Sequence, residues 1–166
     1  MDPEEAAVEV GILLQDVPRP AGCELDEIRR SIRENGGIVG SYLIHAITLM
    51  GQDLPIHLLL EKGADIDAKI EPNNCNTPLM LAAWTGHLSV IRLLLEEGAS
   101  IDERNIKGYT ALHLASWAGH EAIVRLLVKK GVNPGLKSLL GQTAAELAVK
   151  HRIKYPAIEA FLNSLK

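Results

Sequence analysis

Residues 77–120 read TPLMLAAWTGHLSVIRLLLEEGASIDERNIKGYTALHLASWAGH. Displaced by 33 positions, the stretch falls on itself: Thr77 meets Thr110, Leu79 meets Leu112, Ala82 meets Ala115 and Trp84 meets Trp117. Gly86 meets Gly119, His87 meets His120, Leu94 meets Leu127 and Gly98 meets Gly131. Self-similarity at one fixed period of this size predicts an array of stacked units, none of which closes a core alone. Each coincidence has a physical task. A Thr hydroxyl at a helix start satisfies a backbone N–H that has no partner inside the helix. Leu79, Leu81, Ala82 and Ala83 give a short inner helix a packed side, and the alanines let neighbouring helices approach closely. Gly86 and Gly119 supply the left-handed backbone that ends that helix, and Gly98 and Gly131 do the same for the outer one. Ile91, Leu94 and Leu95, with Val124, Leu127 and Val128, are the expected core side of the outer helix. Leu94→Ala is therefore expected to cost about 2–5 kcal/mol.

These residues, with their Thr-Pro-Leu start and 33-residue period, resemble the ankyrin repeat family. The resemblance implies an all-α solenoid of helix-turn-helix units joined by short hairpin or loop fingers. It places about four repeats in residues 41–166, divided 41–73, 74–106, 107–139 and 140–166, with the last acting as a C-terminal cap. The first unit ends HLLLEKGADID, which matches RLLLEEGASID at 92–102, but it lacks the Thr-Pro start. Its loop to Thr77, AKIEPNNCN, is two residues longer than the stretch between Asp102 and Thr110. The last unit begins GQTAAELA like GYTALHLA at Gly108. It loses the Gly-His turn, has HRIKYP instead, and is expected to need one extra residue there to bring AIEAFL into line with AIVRLL. In the family the His of the helix-start motif joins the capping network. His113 matches it, whereas Met80 stands there in the second unit, which is expected to be less well tied.

Upstream, residues 23–40 contain an amphipathic stretch, with Leu25, Ile28 and Ile32 opposite Arg29, Arg30 and Arg33, and Gly36-Gly37 to stop it. It is expected to be the helical cap that shields the first core layer. Residues 1–22 form an extension in which Asp2 and Pro3 can start a short helix and VPRPAG acts as a linker.

Composition agrees with thin helical layers. Hydrophobic residues make up 47% of the 166-residue chain but aromatic ones only 4%, so Leu, Ile, Val and Ala must build the core. Charge is polarised: residues 1–36 hold nine Asp or Glu against four Lys or Arg, and residues 125–166 hold eight Lys or Arg against two acids. Cys23 and Cys75 lack the spacing of a disulfide framework and fit a reducing compartment. The start MDPEEAAVEV is acidic where an export signal would be basic, and no apolar run reaches the roughly 18 residues of a membrane span. The expected setting is cytoplasmic, with the nucleus or delivery into a host cell as alternatives.

No H-E-x-x-H, C-x-x-C, G-x-G-x-x-G or P-loop occurs, and His87, His113 and His120 are accounted for by repeat positions. No catalytic residue, cofactor or metal ligand is expected. By resemblance, partner contacts fall on the concave side, at inner-helix ends and finger tips. Carried over position by position, these are Leu49-Met50, Trp84-Thr85, Trp117-Ala118 and Lys150-His151 for the helix ends. For the tips they are Asn73, Asn74 and Asn76, then Ile106, Lys107 and Tyr109, then Leu139, Leu140 and Gln142. The column is apolar for a surface and holds both tryptophans. Trp and Tyr are frequent interface anchors, and contiguous exposed apolar surface marks binding sites. The expected function is non-catalytic recognition of a protein by a monomer, through Met50, Trp84, Thr85, Ile106, Lys107, Tyr109, Trp117, Leu139, Leu140 and His151. Two placements of the aromatics fit the pattern: a free groove, or indoles packed against the next hairpin with Leu139 turned inward. A nucleic-acid-associated factor using Lys129, Lys130, Lys137, Lys150, Arg152 and Lys154 is a second functional reading. A microbial effector gripping a host protein is a third.

Overall fold

The computed structural model describes residues 75–150 and 155–165, with 44, 48, 51, 56, 59–60 and 64–69 ahead of them. The expected extension 1–22, the capping helix 23–40, Met50 and His151 lie outside the described residues. Six helices follow in the described part: α1 Pro78–Thr85, α2 Leu88–Glu96, α3 Ala111–Ala118, α4 Glu121–Lys129, α5 Ala144–Lys150 and α6 Pro156–Asn163. Ile44, Thr48, Ile56, Leu59 and Leu60 of the first unit are helical too. The inner helices α1, α3 and α5 stack on one another, and each packs against its own outer partner, α2, α4 or α6. This is the all-α solenoid that the resemblance to ankyrin repeats implied.

Local chemistry sets the inner helices. Thr77 is extended, its Oγ1 accepts from the Met80 N–H at 3.3 Å, and Pro78 occupies the first turn, where no N–H is needed. Six of the eight residues of α1, Pro78 to Ala83, are buried, as are Ala111 to Ser116 in α3. A helix buried nearly all round must be made of Leu and Ala, because its neighbours approach from both sides. The outer helices bury one stripe only. In α2 it is Val90, Ile91 and Leu94; in α4 it is Ile123, Val124, Leu126 and Leu127. The expected stripe is thus corrected by rotation: Val90 and Ile123 enter the core, while Leu95 and Val128 are only partly buried against it. Each fully buried Leu, Ile or Val contributes about 1.5–3 kcal/mol of transfer free energy.

The turn between inner and outer helix needs glycine for two reasons. Gly86 and Gly119 have φ of 87° and 82°, and both face an aromatic ring from the next unit. A Cβ on Gly86 would lie 2.7 Å from the His120 ring, and one on Gly119 would fall into the Tyr155 ring. His120 Nε2 also donates to the Trp84 carbonyl at 3.0 Å, fixing the ring across the unit boundary. Tyr155 plays this part in the last unit. Its N–H bonds the Ala148 carbonyl as those of His87 and His120 bond Ala82 and Ala115. Ala148 lies 33 residues after Ala115, but Tyr155 lies 35 after His120, so the insertion at HRIKYP measures two residues rather than the one expected. The Gly-His contact is therefore replaced rather than lost.

Candidate partner-binding surface

Two fingers are described between the helix pairs, and both are built the same way. Asn105 N–H bonds the Tyr109 carbonyl at 3.0 Å, and Ser138 N–H bonds that of Gln142 at 2.9 Å, closing tight hairpins at Gly108 and Gly141. The Asn105 side chain organises its own tip, accepting from Lys107 and Tyr109 N–H groups at 3.0 and 2.9 Å and donating to Asn76 Oδ1 at 2.8 Å. The fingers join edge to edge where Leu139 N–H meets the Lys107 carbonyl at 3.0 Å. Gly108 sits at that seam with φ 75°, and a Cβ there would lie 2.8 Å from the Leu139 nitrogen. Arg104 straps the same seam, donating to the Gly108 and Lys137 carbonyls. Counted 33 residues back, Gly108 becomes Cys75, which accordingly takes φ 54° without being glycine.

Below the fingers, Thr110 and His113 tie α3 to the last unit. His113 Nε2 donates to the Gln142 carbonyl at 3.1 Å, so Nδ1 is the acceptor, 2.9 Å from Thr110 Oγ1 and 3.3 Å from its N–H. Burial holds this imidazole below its ordinary pKa and hence neutral. In the second unit Met80 Sδ takes the Thr77 N–H at 3.5 Å, preserving the cap. A thioether has no proton to donate onward, so the bond to the next finger is missing there, as the weaker tie expected of Met80 requires. In the last unit Glu146 and Thr143 cap each other. A second cross-unit bond recurs further out: the Asp67 carboxylate accepts the Ser100 N–H at 3.0 Å and that of Asp102 accepts the Asn133 N–H at 3.1 Å. Lys69 pairs with Glu103 and its hydrogen bond holds that carboxyl below the ordinary value, on a surface where such a pair contributes about 0–1 kcal/mol.

The expected binding residues fall into two groups. At the helix ends, Trp84 and Trp117 meet edge to face, with centroids 4.8 Å apart and planes at 80°. Trp84 is 44% exposed, whereas Trp117 is half-buried and packs against the core as well as on the Trp84 ring. Thr85, beside them, turns its hydroxyl back to the Leu81 carbonyl at 2.9 Å. At the fingers, Ile106, Leu139 and Leu140 are exposed by 59%, 72% and 77%, with Lys107 exposed among them. Leu139 does not turn inward. Tyr109 is half-buried, its ring 5.8 Å from that of His113. Asn76 and Gln142, placed at the tips by the sequence, are buried. Both belong to the finger bases, Asn76 through the hydrogen bond its Oδ1 accepts from the Asn105 side chain and Gln142 through its backbone. Asp67, Asp102 and Arg104 went unremarked in the sequence. The signal for the first two was an Asp recurring four residues after Gly63 and Gly98. Among the described residues no group of three or more His, Cys, Asp or Glu is placed to hold a metal ion, and no helix is long and apolar enough to cross a membrane.

Stacked helix pairs joined by hairpin fingers define a repeat-built scaffold. The model of ankyrin repeats matches residues 25–105 and 43–138, and the chain belongs to that family. It is 47% identical over 53 residues to the human ankyrin repeat and KH domain-containing protein 1, a match covering 32% of this chain and 2% of that protein. It is 39% identical over 62 residues to a probable E3 ubiquitin-protein ligase of rice, XBOS33, covering 37% of this chain and 12% of the relative. A putative palmitoyltransferase of zebrafish, ZDHHC13, is 36% identical over 58 residues, or 35% of this chain and 9% of the relative. The chain thus spans a small fraction of the length of these relatives. Ankyrin repeats are, in general, protein–protein interaction modules.

Proposed function

We propose that the chain is a non-catalytic recognition module that grips a protein partner with the indole pair and the finger edge. One observation carries the reading. Trp84, Ile106, Leu139 and Leu140 remain exposed although the layers behind them are closed by Leu79, Leu112, Leu127 and other fully buried side chains. Large apolar groups that the core does not use, set along one edge, are the usual anchors of an interface. The chain acts as a monomer in this reading, and the free thiol of Cys75 supports a reducing, cytoplasmic setting.

A pull-down with wild type and with a Trp84→Ala/Leu139→Ser variant tests it, with circular dichroism confirming that the variant keeps its helices. Loss of the bound proteins from the folded variant is the expected result. Retention of the same set would place recognition elsewhere.

A further inference from the structure

The finger edge is basic as well as apolar, and the two characters interleave. Lys107 follows Ile106 on one tip, and Lys137 precedes Leu139 on the next. Arg104 is fixed at the seam between them by its bonds to Gly108 and Lys137. Glu103, the acid next to Arg104 in the chain, is paired with Lys69. Among the described residues neither Lys107 nor Lys137 takes part in an ion pair. Three cations with no ion-pair partner among the described residues thus stand beside three exposed aliphatic side chains, on a seam held together by backbone hydrogen bonds.

Resting on the recognition reading above, we infer that the finger edge takes an acidic peptide segment in which carboxylates alternate with apolar side chains. Its carboxylates meet Arg104, Lys107 and Lys137, and its apolar groups cover Ile106, Leu139 and Leu140. The basic groups steer and orient the peptide, since complementary charge raises the encounter rate and suppresses wrong partners. The aliphatic groups supply the surface that leaves water. A phosphate backbone would satisfy the same cations but leave the three aliphatic side chains wet, so the apolar half of the edge favours a peptide over nucleic acid.

The 166-residue chain is panned against a random peptide display library at about 50 mM salt, and an enriched peptide is synthesised for titration. The expected enrichment is Asp and Glu interleaved with Leu, Ile, Val or aromatic residues. Affinity should fall about tenfold or more at about 500 mM salt and in a Lys107→Glu/Lys137→Glu variant. The milder Lys107→Gln/Lys137→Gln variant should lose affinity in the same direction and by less, with an unchanged circular dichroism spectrum. Enrichment of neutral or basic apolar peptides whose binding needs Leu139 and Leu140 would overturn the inference and leave the recognition reading standing. Peptides indifferent to Leu139→Ser/Leu140→Ser would overturn both. A random-sequence single-stranded oligonucleotide bound as tightly as the peptide, and unaffected by Leu139→Ser/Leu140→Ser, would overturn it in favour of nucleic acid.

Discussion

Replacing His113 by Met copies into the third unit what the second already carries. Met80 shows that the thioether still accepts the Thr N–H and that the helix start survives. What His113→Met removes is the Nε2–H bond to the Gln142 carbonyl. That carbonyl also accepts the Ser138 N–H at 2.9 Å, so it is not left without a partner. The expected cost is that of one hydrogen bond, about 0.5–1.5 kcal/mol, rather than the larger penalty of an orphaned buried group. The same variant alters the pH dependence. Burial lowers the His113 pKa in the folded state, so below about pH 6.5 the unfolded chain binds a proton that the folded one refuses. The stability tied to the neutral ring is complete above that pH and is lost as pH falls toward the lower folded value. Between about pH 6.5 and pH 5.5 the loss amounts to at most about 1.4 kcal/mol. Urea unfolding followed by circular dichroism, at about pH 7.5 and about pH 5.5, reads both effects. Wild type should lose more than the variant on acidification, by up to about 1.4 kcal/mol. Equal acid losses in the two proteins, or a cost above about 3 kcal/mol at neutral pH, would refute the assignment of His113 as a neutral donor to the last finger.

Leu94 is fully buried, so Leu94→Ala should cost about 2–5 kcal/mol in the same urea assay; a loss under about 0.5 kcal/mol would put it at the surface. Gly119→Ala meets both a positive φ and the Tyr155 ring, whereas Gly131→Ala meets only the positive φ, with open space around its Cβ. The second should cost about 1–2 kcal/mol and the first clearly more, a difference that thermal melts of the two variants would resolve. Ser116 is buried with its hydroxyl unpartnered, where the second unit has Ala83, so Ser116→Ala should raise stability by about 1 kcal/mol on urea unfolding.

The period of 33 carried most of the fold because the groups it repeats act locally. Thr110 caps its own helix and the positive φ of Gly119 bends its own turn, and neither of these needs knowledge of the neighbour. What escaped the reading depends on the neighbour. Tyr155 replaces His120 only because two inserted residues let its ring reach Gly119, and an insertion hides that in a register comparison. Asn76 and Gln142 are polar and near the tips, yet the fingers stack and bury them. Cys75 was legible, since it aligns with Gly108, but a thiol among asparagines draws attention to reactivity before backbone angle. The indoles offered two alternatives, a free groove or packing against the next hairpin, and the geometry adds a contact neither foresaw, in which the Trp84 ring lies edge to face on a Trp117 ring packed against the core. Periodicity fixes which residues lie at the helix end but not how two rings one unit apart choose to meet.

The most direct test of the account is the unfolding free energy of an Ile106→Ser/Leu139→Ser/Leu140→Ser variant, measured in urea beside Leu94→Ala. If the finger edge is surplus to the core and free for a partner, the triple variant unfolds within about 1 kcal/mol of wild type while Leu94→Ala loses several. A loss of several kcal/mol from the triple variant would make those side chains part of the array's own packing and leave no spare edge to bind with.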